Sequence, residues 1–296
     1  MKNKRFTFSI LLLLTFSLNS VCQMPDTDIF LAEITNINGT WKFGDAENVT
    51  QRAGYDNQPC FSPDDKSILY IQVADSTQSD IFEYTFQTKK HKQLTSSKES
   101  EYSPTFLPDK SKLSIVRVDQ DSAQRFYTFS PDNVSLVNQV KGTDSIGYFC
   151  WLNDSMLAMF LVGERFSLQV LNTNTHRRTF IAWDIGRCLK LSADKKQMYF
   201  MDKSDSTKNV ITTLQCSDFS RKPVVEAIKG SEDFSPLPDG SLIMGSEGKL
   251  FIWNGAVSGI WKEIKDYSSD IGPFYRIMVN EKASRIAFVG YAGKKP

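Results

Sequence analysis

Apolar and polar residues alternate with a period of two over short stretches of this chain, and the stretches come in sets. Ser67 to Val73 and Asp80 to Phe86 are two such runs, separated by the polar loop Asp75 to Ser79. Successive strand residues point to opposite faces, so alternation of this kind predicts half-buried β-strands. Ahead of them, Gln58 to Ser62 reads as an innermost strand that ends in the turn Pro63-Asp64-Asp65-Lys66. Proline presets φ for such a turn, and an aspartate accepts a hydrogen bond from the backbone two residues on. After them come the turn Lys89-Lys90-His91 and the short outer strand Lys92 to Thr95. With no helical periodicity in the unit, it reads as a four-stranded antiparallel meander.

The same order recurs with Leu113 to Val118 and Arg125 to Phe129, then Met156 to Val162 and Ser167 to Asn172. It continues with Gln197 to Asp202 and Val210 to Cys216, then Ser241 to Gly245 and Lys249 to Asn254. The acidic residue of each anchor turn falls at Asp64, Asp109, Asp154, Asp194, Asp239 and Glu281, in steps of 45, 45, 40, 45 and 42 residues. A period of roughly 40–45 residues is that of one four-stranded propeller blade. The expected fold is therefore all-β, a six-bladed β-propeller of four-stranded antiparallel blades in one domain, residues 23–296. The sixth copy stops two strands short, after Phe274 to Val279 and Arg285 to Tyr291. Asp28 to Ile34 resembles the third strand of a blade and Trp41 to Thr50 can supply a fourth. N-terminal strands are thus expected to close the last blade and pair edges that would otherwise be open.

The runs Pro59-Cys60-Phe61-Ser62-Pro63-Asp64-Asp65-Lys66 and Pro104-Thr105-Phe106-Leu107-Pro108-Asp109-Lys110, with Asp80-Ile81-Phe82 after the first, carry a family resemblance. They are similar to the TolB-type propeller repeat, also called the WD40-like or PD40 repeat. Asp65 stands where that pattern has glycine, and the third, fourth and sixth copies keep only the acidic position. The resemblance implies a six-bladed exported protein that binds proteins or peptides in the periplasm. TolB itself has an additional N-terminal domain, for which this chain has no room beside the propeller.

Residues 1–22 read as a secretory signal peptide: Lys2, Lys4 and Arg5 precede the apolar Phe6 to Leu18 and the small-residue end Ser20-Val21-Cys22. Cleavage after Cys22 is expected; a lipoprotein anchor on Cys22 is the alternative, with Val21 a poor residue before it. The mature chain is then periplasmic or secreted, and its net charge falls from +1 to −2. Without a basic cluster, nucleic acid is not an expected partner. No later segment is apolar for long enough to span a bilayer. Cys60, Cys150, Cys188 and Cys216 remain; buried free thiols are expected, with Cys150–Cys188 the one pairing to test.

Candidate chemistry is sparse. His91 and His176 lie in turns between third and fourth strands, amid lysines and arginines, and read as solvated rather than metal-binding or catalytic. Neither a Gly-x-Ser-x-Gly elbow nor a zinc spacing occurs, and no cofactor is expected. The anchor-turn aspartates have a structural role in each repeat. Trp151 and Trp253 read as packing between blades, whereas Trp183 precedes an innermost strand. An acidic residue stands just before each innermost strand: Asp56, Glu101, Asp144, Asp184, Asp233 and Asp270, with Glu232 beside Asp233. Tyr55, Tyr102, Tyr148, Trp183, Phe234 and Tyr267 are aromatic neighbours. This set predicts an acidic funnel at the channel mouth that takes a basic peptide segment or a cation. The expected function is a non-catalytic, protein- or peptide-binding scaffold of the cell envelope. The alternative is an enzyme acting on carbohydrate or peptide through two funnel carboxylates roughly 5–10 Å apart.

Overall fold

A computed structural model describes residues 24–73, 78–131 and 133–291, so the segment read as a signal peptide lies outside the described residues. The described chain is a six-bladed β-propeller. Blades 1 to 5 are antiparallel meanders whose innermost strands are Tyr55–Phe61, Ser100–Phe106, Ile146–Asn153, Ile185–Leu191 and Phe234–Pro236. Blade 6 is composite. Its inner strands Phe274–Val279 and Arg285–Tyr291 are followed by Thr27–Ile37 and Thr40–Phe43 from the other end of the chain. Thr27 pairs with Tyr291 and Glu33 with Arg285, an antiparallel register of seven residues.

The reason for closure lies in the two faces of Thr27–Ile37. Ile29 packs with Ile68 and Tyr70 of blade 1, whereas Phe30 and Ile34 pack with Ile243 and Leu250 of blade 5. Each side chain of this kind contributes roughly 1.5–3 kcal/mol when fully buried. Among the described residues, six clusters of buried apolar side chains occur, one at each junction between neighbouring blades. Trp151 belongs to the junction of blades 2 and 3, with its indole nitrogen donating to Ser114 Oγ at 3.1 Å. Trp253 packs at the junction of blades 4 and 5. Polar ties reinforce the closing strands: Trp41 Nε1 donates to Asp239 Oδ2 at 2.8 Å, and Tyr267 Oη to the carbonyl of Gly44 at 2.9 Å.

Anchor turns follow the mechanism read from the sequence. Asp64 Oδ1 accepts from Ser62 Oγ at 2.7 Å and from the backbone N–H of Lys66 at 3.1 Å. Asp109, Asp194 and Asp239 cap their turns in the same way. In blades 3 and 6 the cap is a neighbour of the expected residue: Asn153 rather than Asp154, and Asn280 rather than Glu281. An asparagine side-chain carbonyl accepts from the backbone as a carboxylate does. That substitution leaves Glu281 free to reach elsewhere. The residue after the acid has a positive φ in several turns, 57° at Asp65, 58° at Lys195 and 84° at Gly240. This is where the repeat pattern has glycine, the residue that tolerates such a conformation at least cost.

Candidate functional site

The innermost strands all begin on one face of the ring and all end in anchor turns on the other. Between them lies a cavity of about 720 Å³, lined by residues from all six blades and reaching the anchor turns. A second cavity, of about 680 Å³, lies on the strand-start face, lined by Tyr55, Glu232, Tyr275 and Tyr291 among others. Arg187 lines both. It sits at the partition between them, and that partition is the densest group of charge in the channel.

Asp233 is the centre of the partition, only 6% exposed. Its Oδ1 lies 3.3 Å from Arg187 Nε and its Oδ2 3.6 Å from Arg276 Nε, so one carboxylate stands between guanidinium groups of blades 4 and 6. Arg276 Nη2 donates to Tyr148 Oη at 3.4 Å, and its guanidinium lies 5.4 Å from the centre of that ring. Arg187 is 3.5 Å from Glu232 Oε2, and its backbone N–H donates to Glu232 Oε1 at 2.9 Å. Gly186 makes that approach possible, since a Cβ there would meet Glu232 Oε1 at 2.6 Å. On the other side of Arg187, Asn57 donates from Nδ2 to Tyr275 Oη. Burial opposes the charge on both arginines, yet Asp233 holds each above its ordinary value.

Further along the same channel, Lys190 extends from the inner strand of blade 4. Its only hydrogen bond among the described residues goes to the sulfur of Met278, at 3.0 Å. The wall around it includes Cys60, Cys150 and Cys188. All four described cysteines are free, so the Cys150–Cys188 pairing is not formed. Burial pushes the thiols of Cys150 and Cys188 up to about 12 and that of Cys60 to about 11, which leaves them protonated and unreactive at neutral pH. At the anchor-turn rim, Glu281 of blade 6 pairs with Lys110 of blade 2 at 2.9 Å and Lys195 of blade 4 at 3.4 Å. These pairs link turns of alternate blades.

The residues of the expected acidic funnel are distributed differently. Asp56 and Glu101 are the second residues of their innermost strands rather than before them, and the others precede theirs. Asp233 lines the larger cavity and Glu232 the second, while the other five line neither. Asp56 is fully buried, with Oδ1 3.0 Å from Arg52 Nε; burial pushes its carboxyl up to about 7 against the pull of that arginine. Glu101 is also buried, accepting from Ser97 Oγ at 2.7 Å, and burial raises its carboxyl. Asp184 is held low by its hydrogen bonds to Arg165, whose guanidinium also lies 5.3 Å from the ring of Trp183. Asp144 is exposed, 3.7 Å from Arg125 Nε, and Asp270 is exposed beside Ser269. Trp183 is half exposed and packs on Phe180 rather than facing the channel. Four of the six acids therefore face arginines.

The channel residues that the sequence reading omitted are Arg187, Lys190 and Arg276. A charged residue inside an otherwise apolar innermost strand was the available signal. His91 and His176 do not contribute: His91 stacks 4.8 Å from Tyr84 and meets Tyr70 Oη at 2.9 Å, while His176 occupies a turn at φ 58°. Among the described residues, no cluster of histidine, cysteine and carboxylate groups has the geometry of a metal site, and no helix is long and apolar enough to cross a membrane.

No family model matches the sequence, and no curated protein matches it. Solved structures do. The fold is similar to TolB from Acinetobacter baumannii, with a TM-score of 0.58 and 12% identity over 89% of this chain. This chain spans 64% of the length of that protein. It is also similar to a protein described as TolB from Agrobacterium tumefaciens, with a TM-score of 0.66 and 12% identity over 91% of this chain and 99% of that one. An oligogalacturonate lyase in complex with manganese matches with a TM-score of 0.60 and 12% identity, over 87% of this chain and 84% of that one. At such identities the likeness is one of fold: this chain is a TolB-like β-propeller in architecture, a scaffold on which different activities occur.

Proposed function

We propose that this chain is an exported, non-catalytic binding module of the cell envelope, and that its partner, a protein or peptide, docks at the central channel. The observation that carries this reading is the setting of Asp233, the predicted funnel carboxylate that lines the larger cavity. Both of its oxygens face guanidinium groups, at 3.3 and 3.6 Å. A carboxylate clamped in this way is placed to hold a surface together across blades 4 and 6. The likeness to TolB supports a binding role, and the apolar stretch Phe6 to Leu18 after a basic start supports export.

The test is capture of a partner from detergent-solubilised envelope by the mature protein and by an Ala193→Trp, Pro108→Trp double variant. Both positions lie on the channel lining near the anchor turns, so two indoles there obstruct the opening without touching the partition. A partner retained by the unmodified protein and lost by the obstructed one is the expected result. Equal capture by both, or capture by neither, overturns the reading.

A further inference from the structure

The channel partition has more positive charge than its own side chains neutralise. Arg187, Lys190 and Arg276 line the cavity from within, and the carboxylate on the same inner wall is Asp233. Glu232 assists Arg187 from the other side, but it is shared with Lys203 at 3.8 Å. The remaining acids on the lining, Asp154 and Glu281, belong to the anchor-turn end, where Glu281 is already engaged by two lysines.

Hydrogen bonding tells the same story atom by atom. A guanidinium has five N–H donors. Arg276 is only 15% exposed, yet its hydrogen bonding among the described residues is the single 3.4 Å contact to Tyr148. The Nε atoms of Arg276 and Arg187 are both buried without a hydrogen bond of good geometry, despite the ion pairs to Asp233. Lys190 has a thioether as its acceptor, a weak one for an ammonium group. Buried cationic donors left short of acceptors are costly, and an acceptor-rich anion relieves that cost.

We infer that the partition is a carboxylate-binding site: a ligand carboxylate enters from the anchor-turn side, is received by Arg276 and Arg187, and has Lys190 beside its path. The cavity volume of about 720 Å³ lies within the range of small-ligand sites and admits a short chain terminus equally well. Arginine forks suit planar carboxylates, and Tyr148 adds a hydroxyl at the same end. The ligand group is therefore either the C-terminal carboxylate of a partner polypeptide or that of a small organic acid. This inference rests on the channel being the docking place proposed above.

The experiment is a calorimetric titration of the mature protein with three probes: an alanine pentapeptide with a free C-terminus, the same peptide as its C-terminal amide, and glutarate. Titrations are run in low salt, with chloride as the control anion. Binding of the free-acid peptide or of glutarate, with the amide silent, is expected. Arg276→Gln should weaken that binding by about 10- to 100-fold, the loss of a charged hydrogen-bonded contact. Lys190→Gln should weaken it by several-fold and leave the melting temperature unchanged, which separates binding from folding. Preference for the peptide identifies a polypeptide terminus, and preference for glutarate a small acid. Binding of the amide as tight as that of the acid, or no binding beyond that of chloride, overturns the inference. If partner capture survives while these titrations fail, the carboxylate assignment alone is wrong; failure of both removes the channel as the docking place.

Discussion

The two ends of the innermost strands use charge in opposite ways. At the strand starts, Asp56, Glu101 and Asp233 are buried and Arg276 is largely covered, and each depends on a few specific partners. At the strand ends, Asp64, Asp109, Glu281, Lys110 and Lys195 are exposed in anchor turns and meet water as well as one another. A buried pair is weak evidence for stability, but breaking one by removing a single partner is severe. An exposed pair is weak in both respects. The strand-start end is therefore where single substitutions should register, and the anchor-turn end is where they should be tolerated.

The sharpest way to break that contrast is Asp233→Asn. It leaves Arg187 and Arg276 facing each other across the partition without the carboxylate that separates them. A loss of about 2–4 kcal/mol is expected, less than the full value for a dry interior because both arginines keep some access to solvent. Urea unfolding measures it, and a loss below about 0.5 kcal/mol would show that solvent already screens the partition.

A subtler effect comes from Asp56, whose carboxyl burial pushes up to about 7 from an ordinary 3.8. Between those values the folded protein binds a proton that the unfolded chain has released. Stability from this group is therefore greatest near pH 4 and falls as pH rises toward 7. Asp56→Asn should remove that slope, so the stability difference between the two proteins should change in favour of the variant over this interval. Parallel slopes from pH 4 to 7.5 in denaturant melts would mean that Arg52 keeps the carboxylate ionised throughout.

The smallest effect is expected from Glu281→Gln, which releases Lys110 and Lys195 at the rim. Exposed pairs of this type contribute at most about 0.5 kcal/mol, and that should vanish in 1 M salt. A larger, salt-resistant loss would mean that the rim acts as a brace between alternate blades.

The fold was legible because its information is redundant. The turns around Asp64, Asp109, Asp194 and Asp239 repeat one solution to one local problem, and their spacing counts the blades. The closing role of Asp28 to Ile34 was equally visible, since a third strand at the wrong end of the chain has no other use. The site was hidden by geometry that alternation does not encode. Register shifts interrupt the innermost strands between Asn57 and Cys60, Tyr102 and Thr105, Ile185 and Leu189, and Phe274 and Arg276. Two of these irregularities adjoin a positive φ, 52° at Gln58 and 54° at Ser103. A bulge re-aims the side chains around it, so counting by twos from an anchor turn assigns them to the wrong face. Arg187 lies within one such interruption and Arg276 at the edge of another. The acids, by contrast, were easy to see in the sequence. Arg52 stands only four residues from Asp56, but the arginines beside Asp144, Asp184 and Asp233 lie a strand or a blade away along the chain and could not be matched by spacing.

The mixed parentage of blade 6 sets the order in which the ring can be assembled. Among the described strands, Thr27–Ile37 is the first to emerge from the ribosome and its partner Arg285–Tyr291 the last. Joining segments about 250 residues apart costs about 3–4 kcal/mol more chain entropy than closing a four-residue hairpin. Until that join is made, Ile29 and Phe30 have no finished junction on either side. The early strand is thus exposed throughout synthesis, a vulnerable edge that a holding chaperone would have reason to cover. Cooperativity is the return: once the last strand docks, the loss of any single blade opens the whole circle.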